Sequence, residues 1–472
     1  MEEDINIADR TKIPLNRVIG LATGILMVAG IMIGSGVFKK IAPMSALGLN
    51  GTYILAAWIV AGIITMFGAF TIAGLATMTT ESGGQYEYLR LMFGNFISFL
   101  FGWSVFTIIG SAAIAALAFI FSQSVNALLP VPEPFHALKD ISIANFIYPF
   151  AGSGIKIFAI TSIILLTWVN YRGTKKGAAL NNVFTFAKIF GILALILLGL
   201  SFSTSAPIAT VDKIGITDAS SLKGTMLFSA FFSAMLSAFW AYDGWINVAY
   251  LTGEIKNPKR NVPVAIITGV SIVIILYVLV NYAYMKVLPL KELAAIGENE
   301  IIASAVAGSI MGSTGKMLIT ILVMVSSFGA LNAIIIAYPR LYYKMALEKV
   351  FFKNAANVHP TYRTPYISLI YSMLWSSVLV ITGTFDLLTD LIIFASFLFY
   401  GLLSWGLIKM KRKKIITARV VGYPVIPMII ILFSFALTIN TVIIQPKQSA
   451  IGMLLVLSGI PFYYYFRRRN EN

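Results

Sequence analysis

The chain has 472 residues, 58% of them hydrophobic and 11% charged, with a formal net charge of +16, two histidines and no cysteine. Soluble domains carry about 25% charged residues, and here apolar runs of twenty or more residues recur, the length that spans about 30 Å of hydrocarbon. Without cysteine there is no disulfide, thiolate zinc site, iron–sulfur cluster or disulfide-linked subunit, and His136 and His359 fall in predicted loops, which argues against a histidine-based metal or catalytic site.

Twelve spanning segments are predicted in chain order, making an all-α integral membrane protein. The first five cover 18–46, 51–80, 95–126, 153–171 and 177–203. The next five cover 225–255, 262–288, 311–345, 366–384 and 386–408, and the last two 423–444 and 450–466. The chain is read as one transporter domain. Residues 1–17 form a cytoplasmic N-terminus, 18–203 a first five-helix repeat, 225–408 a second, inverted repeat, 421–466 helices 11 and 12, and 467–472 a cytoplasmic C-terminus. No cleavable signal pattern opens the chain.

Charge sets the expected orientation. With the N-terminus inside, 24 of the 35 lysines and arginines fall on the inner side and 10 on the outer side. Both termini are therefore expected in the cytoplasm, with the chain in the cell inner membrane. The same bias accounts for the positive charge without a nucleic-acid partner.

Two long segments carry helix-weakening residues in their middles, Gly34-Ser35-Gly36 in the first and Asp243-Gly244 in the sixth. Each opens a block of five segments, and an odd repeat turns the second copy upside down. Interrupted helices at matching places point to a site at the break. A broken helix exposes N–H groups on one half and carbonyls on the other. The first suit a carboxylate and the second an ammonium group, the two ends of an α-amino acid. The alternative for the glycines is close helix packing.

Two charges are predicted to lie deep. Lys188 stands eleven residues into the fifth segment, about 16 Å at 1.5 Å per residue. A lysine there is expensive unless it is paired or faces a polar cavity. It reads either as a fixed cation in the place of a bound metal ion or as a structural donor to helix carbonyls. Asp243 reads either as a cap on the broken helix or as a proton-coupling or amine-contacting group. Trp240, Tyr242 and Trp245 flank it, as packing or as cover for a ligand.

These residues resemble the amino acid–polyamine–organocation superfamily, most closely its L-type amino-acid transporter branch, over nearly the whole chain. The likeness rests on Gly30-Ile31-Met32-Ile33-Gly34-Ser35-Gly36-Val37-Phe38 and on Glu81-Ser82-Gly83-Gly84-Gln85-Tyr86-Glu87-Tyr88. It rests also on Phe239-Trp240-Ala241-Tyr242-Asp243-Gly244-Trp245 followed by Glu254 to Pro263, and on Ser326-Ser327-Phe328-Gly329-Ala330-Leu331-Asn332. The resemblance implies a LeuT-like fold of a 5+5 inverted repeat plus two helices. It implies substrate carboxylate at Ser35 and Gly36 beside Gly34, and substrate amine at carbonyls around Ile33 and Trp240. Ala241, Tyr242, Asp243 and Ile246 complete the implied binding segment, and Trp240 stands where the family often has an aromatic gate. Lys188, with Ser326 and Ser327, stands at the place of a sodium in sodium-coupled relatives. Two departures stand out: a small residue is frequent where Asp243 stands, and asparagine where Ile246 stands.

The implied function is sodium-independent exchange of neutral L-amino acids, with no cofactor and no partner beyond the substrate and the lipid bilayer. A proton-coupled amino-acid symporter, or a cationic amino-acid or polyamine permease of the same fold, is the alternative. A membrane enzyme would need a cluster of acids, histidines or a nucleophile, and a channel a continuous polar pore. Neither pattern is present in the sequence.

Overall fold

A computed structural model describes residues 19–34, 36–79, 83–143, 147–172, 177–201, 222–297, 300–362 and 364–471. Ser35, Glu81, Ser82 and the first eighteen residues lie outside the described set, as do residues 202 and 203 at the end of the fifth predicted segment. Among the described residues, nine helices are long and apolar enough to cross a membrane, and three shorter apolar helices fill the remaining places, giving the twelve-helix all-α fold expected.

In chain order the helices are α1 (Leu21–Met32), α2 (Ile41–Ser45), α3 (Gly51–Leu75), α4 (Gly84–Phe93), α5 (Asn95–Ser104), α6 (Gly110–Leu128), α7 (Ser153–Tyr171), α8 (Gly177–Ser201) and α9 (Thr225–Tyr242). They continue as α10 (Pro258–Val287), α11 (Leu290–Ala295), α12 (Ile302–Leu347), α13 (Tyr366–Thr382), α14 (Phe385–Arg412), α15 (Val425–Ile444), α16 (Pro446–Leu457) and α17 (Gly459–Glu471). Local chemistry sets several ends. The Asn50 side chain accepts from the Tyr53 N–H at 2.9 Å to cap α3. Pro258 opens α10 at a position whose N–H has no helical acceptor.

The exterior is apolar. Phe190, Leu197, Phe435 and Ile443 are each more than 60% exposed, which suits hydrocarbon and not water. A helical backbone bonds to itself, so such a surface can sit in lipid without stranding polar groups.

The helices pack in two groups. In one, α1 and α3 pack on α10, and α9 packs on α3; in the other, α6, α7, α12 and α13 pack together. Helix α8, the bearer of Lys188, touches α1 and α10 on one side and α12 on the other.

The two expected breaks are present. Helix α1 stops at Met32, Ile33 leaves helical geometry (φ −72°, ψ 75°), and the chain resumes as a 3₁₀ turn over Gly36–Phe38 and then α2. Helix α9 stops at Tyr242. Asp243 is extended (φ −71°, ψ 164°), Gly244 takes φ +96°, and a 3₁₀ run follows over Trp245–Glu254. Positive φ is cheap only for glycine, so Asp243-Gly244 is a specific device for stopping this helix.

Two further irregularities are present, the first without a proline or glycine to mark it. Residues Val105–Ile109, between α5 and α6, form a π turn. Val105 O accepts the Gly110 N–H and also the Tyr342 hydroxyl at 3.3 Å, and the Trp375 indole donates to Thr107 O at 2.8 Å. Helix α12 is interrupted at Gly312 (φ 63°), and its short first arm folds back so that Thr320 donates to Ser304 Oγ at 2.8 Å.

Candidate functional site

The broken ends of α1 and α9 meet at a cavity of about 40 Å³. From the α1 break it is lined by Ile31, Met32, Gly34 and Gly36, and from the α9 break by Trp240, Asp243, Gly244 and Asn247. Ala113 and Leu117 of α6 and Ile334 and Tyr338 of α12 close it from the second helix group. Since one water needs roughly 10–15 Å³ on this measure, the cavity has room for a few waters and must widen to admit an amino acid.

Glycine lets the two breaks approach. A Cβ on Gly36 would lie 2.5 Å from the Ala241 Cα, and one on Gly244 would lie 2.7 Å from Ile31 Cγ2. Larger residues at either place would wedge the half-helices apart.

The carbonyls that α1 loses at its break are taken up by side chains from other helices. Ile33 N–H still bonds Ala29 O at 2.8 Å, but Gly34 N–H turns to Met32 O at 2.7 Å, leaving Gly30 O without its helical donor. Lys188 Nζ donates to Gly30 O at 3.1 Å, and Lys188 is 1% exposed. Tyr277 donates to Met32 O at 2.7 Å, and Ser326 reaches Ile33 O only at 3.5 Å. The serines expected beside the lysine are engaged elsewhere. Ser326 faces Ile33, while Ser327 bonds Val323 O at 2.8 Å and Met324 O at 3.0 Å on its own helix.

Of the other expected site residues, Gly34, Gly36, Trp240 and Asp243 line the cavity. Ile33 is buried behind its wall, and Ala241 packs on Gly36. Tyr242 points away, with its hydroxyl on Trp58 O at 3.1 Å and its ring against Tyr277 at 5.2 Å. Ser35 lies outside the described residues. Ile246 is buried away from the cavity, and Asn247 lines it instead. The physical reason is the 3₁₀ run, in which side chains three apart share a face, so Asn247 follows Gly244. Tyr400 donates to Asp243 Oδ1 at 3.1 Å from the far side, where a smaller cavity of about 20 Å³ also includes Asp243 and Thr65.

The profile of the amino acid permease family matches residues 19–464. The chain belongs to this family. It is 31% identical over 464 residues to the serine/threonine exchanger SteT of Bacillus subtilis (strain 168), covering 97% of this chain and 98% of that protein. It is 30% identical to the b(0,+)-type amino acid transporter 1 of Mus musculus, over 96% of this chain and 88% of that protein. The large neutral amino acids transporter small subunit 2 of Oryctolagus cuniculus is 28% identical, over 96% and 81%.

In this amino acid permease, charged clusters lie on both sides of the cavity; the sequence marked Gln85, Tyr86 and Glu87 only as part of a family signature and did not mark the lysines on the other side. On the α4 side, Glu87 pairs with Arg90 at 2.6 Å and with Lys344 at 3.0 Å. Tyr86 donates to Glu348 at 2.6 Å, and Tyr250 of the 3₁₀ run donates to Gln85 at 3.2 Å. Burial alone would push the Glu87 carboxyl up, but the Arg90 and Lys344 contacts outweigh it and hold it below the usual glutamate value. On the α2 side, Lys39 and Lys40 are 5% and 1% exposed. The expectation of only two deep charges is corrected here: both lysines fold beneath α14.

Proposed function

We propose that this permease exchanges neutral L-amino acids across the cell inner membrane without sodium, by alternating access. The observation that carries this reading is the meeting of two broken helices, five helices apart, at one cavity closed by a second helix group. The substrate carboxylate is assigned to the N–H end at Gly36, with Ser35 beside it, and its amine to the carbonyl end near Ile33. The long 3.5 Å contact from Ser326 leaves Ile33 O ready for a better donor. Trp240 is assigned the role of gate and Lys188 that of the resident cation. The repeats are taken as 18–203 and 225–408, with helices 11 and 12 in 421–466 and both termini in the cytoplasm on the strength of the charge bias. The reading is of a transporter and not an enzyme.

The relatives' names supply the exchange mode and the amino-acid class. One observation favours a second reading, a cationic substrate: Asp243 lines the cavity and places a carboxylate there. The test is counterflow in proteoliposomes. Labelled L-serine or L-leucine should accumulate in vesicles preloaded with unlabelled amino acid and not in empty ones, and competition by L-arginine separates the two readings. Equal uptake into empty vesicles would remove exchange.

A further inference from the structure

The break in α1 has the geometry of an inverse γ-turn. Ile33 takes φ −72° and ψ 75°, and Gly34 N–H bonds Met32 O at 2.7 Å, two residues back. Met32 O also accepts the Tyr277 hydroxyl of α10 at 2.7 Å. A carbonyl oxygen has two lone pairs, so Met32 O keeps no capacity for a substrate ammonium group. Ile33 O, by contrast, has the long 3.5 Å contact from Ser326.

Gly34 N–H and Ile33 C=O belong to one planar trans peptide unit and point in opposite directions. Holding the N–H on Met32 O therefore fixes where the Ile33 carbonyl points. Tyr277 holds the same oxygen from the α10 side. Its side chain is fully buried, with the ring edge-on to Trp58 of α3 at 5.9 Å and tilted against Tyr242 at 5.2 Å. Tyr242 is the last residue of α9, and its hydroxyl donates to Trp58 O at 3.1 Å. The ends of both broken helices thus rest on one side chain, Met32 through a hydrogen bond and Tyr242 through a ring contact.

We propose that Tyr277 is a positioning residue for the substrate amine. Its hydroxyl pins the γ-turn so that Ile33 O, and not Met32 O, receives the α-ammonium group, and its ring keeps the two helix ends in register. Tyr277 acts through the peptide and stands behind the cavity wall rather than in it. The proposal deepens the transport reading and rests on it for the presence of an amine at the break.

Tyr277→Phe removes the hydroxyl and keeps the ring, and Met32 O retains the Gly34 N–H, so the melting temperature should stay near that of the parent. Tyr284→Phe is the control, since it deletes a buried hydroxyl on the same helix that has no partner among the described residues. Two readouts are compared. In proteoliposomes, exchange of labelled L-leucine is inhibited with unlabelled L-leucine or with its 2-hydroxy acid, which keeps the carboxylate and side chain and lacks the amine. The preference for leucine over the hydroxy acid should fall about tenfold in Tyr277→Phe, the scale of one hydrogen bond to a charged group, and hold its parent value in Tyr284→Phe. A hydroxyl that served the fold alone would weaken both inhibitors alike. In detergent without substrate, hydrogen–deuterium exchange over residues 29–34 should quicken in Tyr277→Phe and not in Tyr284→Phe. An unchanged leucine preference, unchanged hydrogen exchange, or a collapsed melting temperature in Tyr277→Phe overturns the proposal. The second readout needs no transport. If the parent protein fails to exchange leucine, the transport reading falls, and hydrogen exchange still decides whether Tyr277 pins the turn.

Discussion

Lys188 Nζ donates at 3.1 Å to the carbonyl of Gly30, the very carbonyl whose helical donor is lost when Gly34 N–H turns to Met32. One side chain thereby repairs the break in α1 from α8, the helix that touches both helix groups. Lys188→Ala removes a buried donor and strands a carbonyl, which costs about 1–3 kcal/mol. It also removes the hydrogen bond that links α8 to the break. Exchange in proteoliposomes should fall by at least about tenfold, while substrate affinity changes less and the protein still inserts in the membrane. Lys188→Arg should be partly active, since guanidinium keeps the charge and not the geometry.

Trp240→Ala should lose most exchange and leave folding nearly intact. The ring covers the cavity and touches Phe385 at its edge, so its loss opens the lid. Melting temperature within about 5 °C of the parent, a shift of about 5 kcal/mol or less for a chain of this size, together with depressed exchange supports the gate role. A collapsed melting temperature would assign the tryptophan to packing.

Gly36→Ala tests the approach of the two breaks. The added Cβ would meet the Ala241 backbone at 2.5 Å, where only a shift of the chain relieves the clash. Overpacking of this kind costs about 1–3 kcal/mol. Gly20→Ala is the control, because a Cβ there meets nothing within 4 Å. Amino-acid-dependent thermal stabilisation should vanish in Gly36→Ala and persist in Gly20→Ala. Full stabilisation in both would mean that the contact does not shape the site.

The site was legible in the sequence where a residue broke its own surroundings. Lys188 interrupts an apolar run, and Gly34 and Asp243-Gly244 interrupt helices; each stands out without knowledge of any partner. What stayed hidden depends on long-range contact. Lys39 and Lys40 sit near a segment end, where lysine ordinarily snorkels to water, and only the fold carries them under Asp386 and Phe385, about 346 positions away for the Lys40–Asp386 pair. Asn247 was missed because the resemblance pointed to Ile246, and the 3₁₀ run brings the next residue round to the cavity. The π turn at Val105–Ile109 contains no proline or glycine to announce it.

Glu87 makes a pH prediction. Its carboxyl is held below the usual value by Arg90 and Lys344 against the upward push of burial. A depressed folded value means that its stabilising contribution is present above the unfolded glutamate range and is lost as pH falls through the folded value. Glu87→Gln should therefore lower thermal stability at neutral pH, by about 1 kcal/mol because Arg90 and Lys344 are partly hydrated. The gap between variant and parent should shrink on acidification. A gap that is constant with pH would show that the ion pairs contribute nothing.

In the proposed mechanism a protein ammonium group, Lys188, takes the place of a coupling cation at the α1 break. The most direct measurement is the initial rate of amino-acid exchange by the unmodified protein in proteoliposomes, with sodium on both sides and then with choline replacing it. Equal rates in the two salts are predicted. A steep rise with sodium concentration would contradict the role assigned to Lys188.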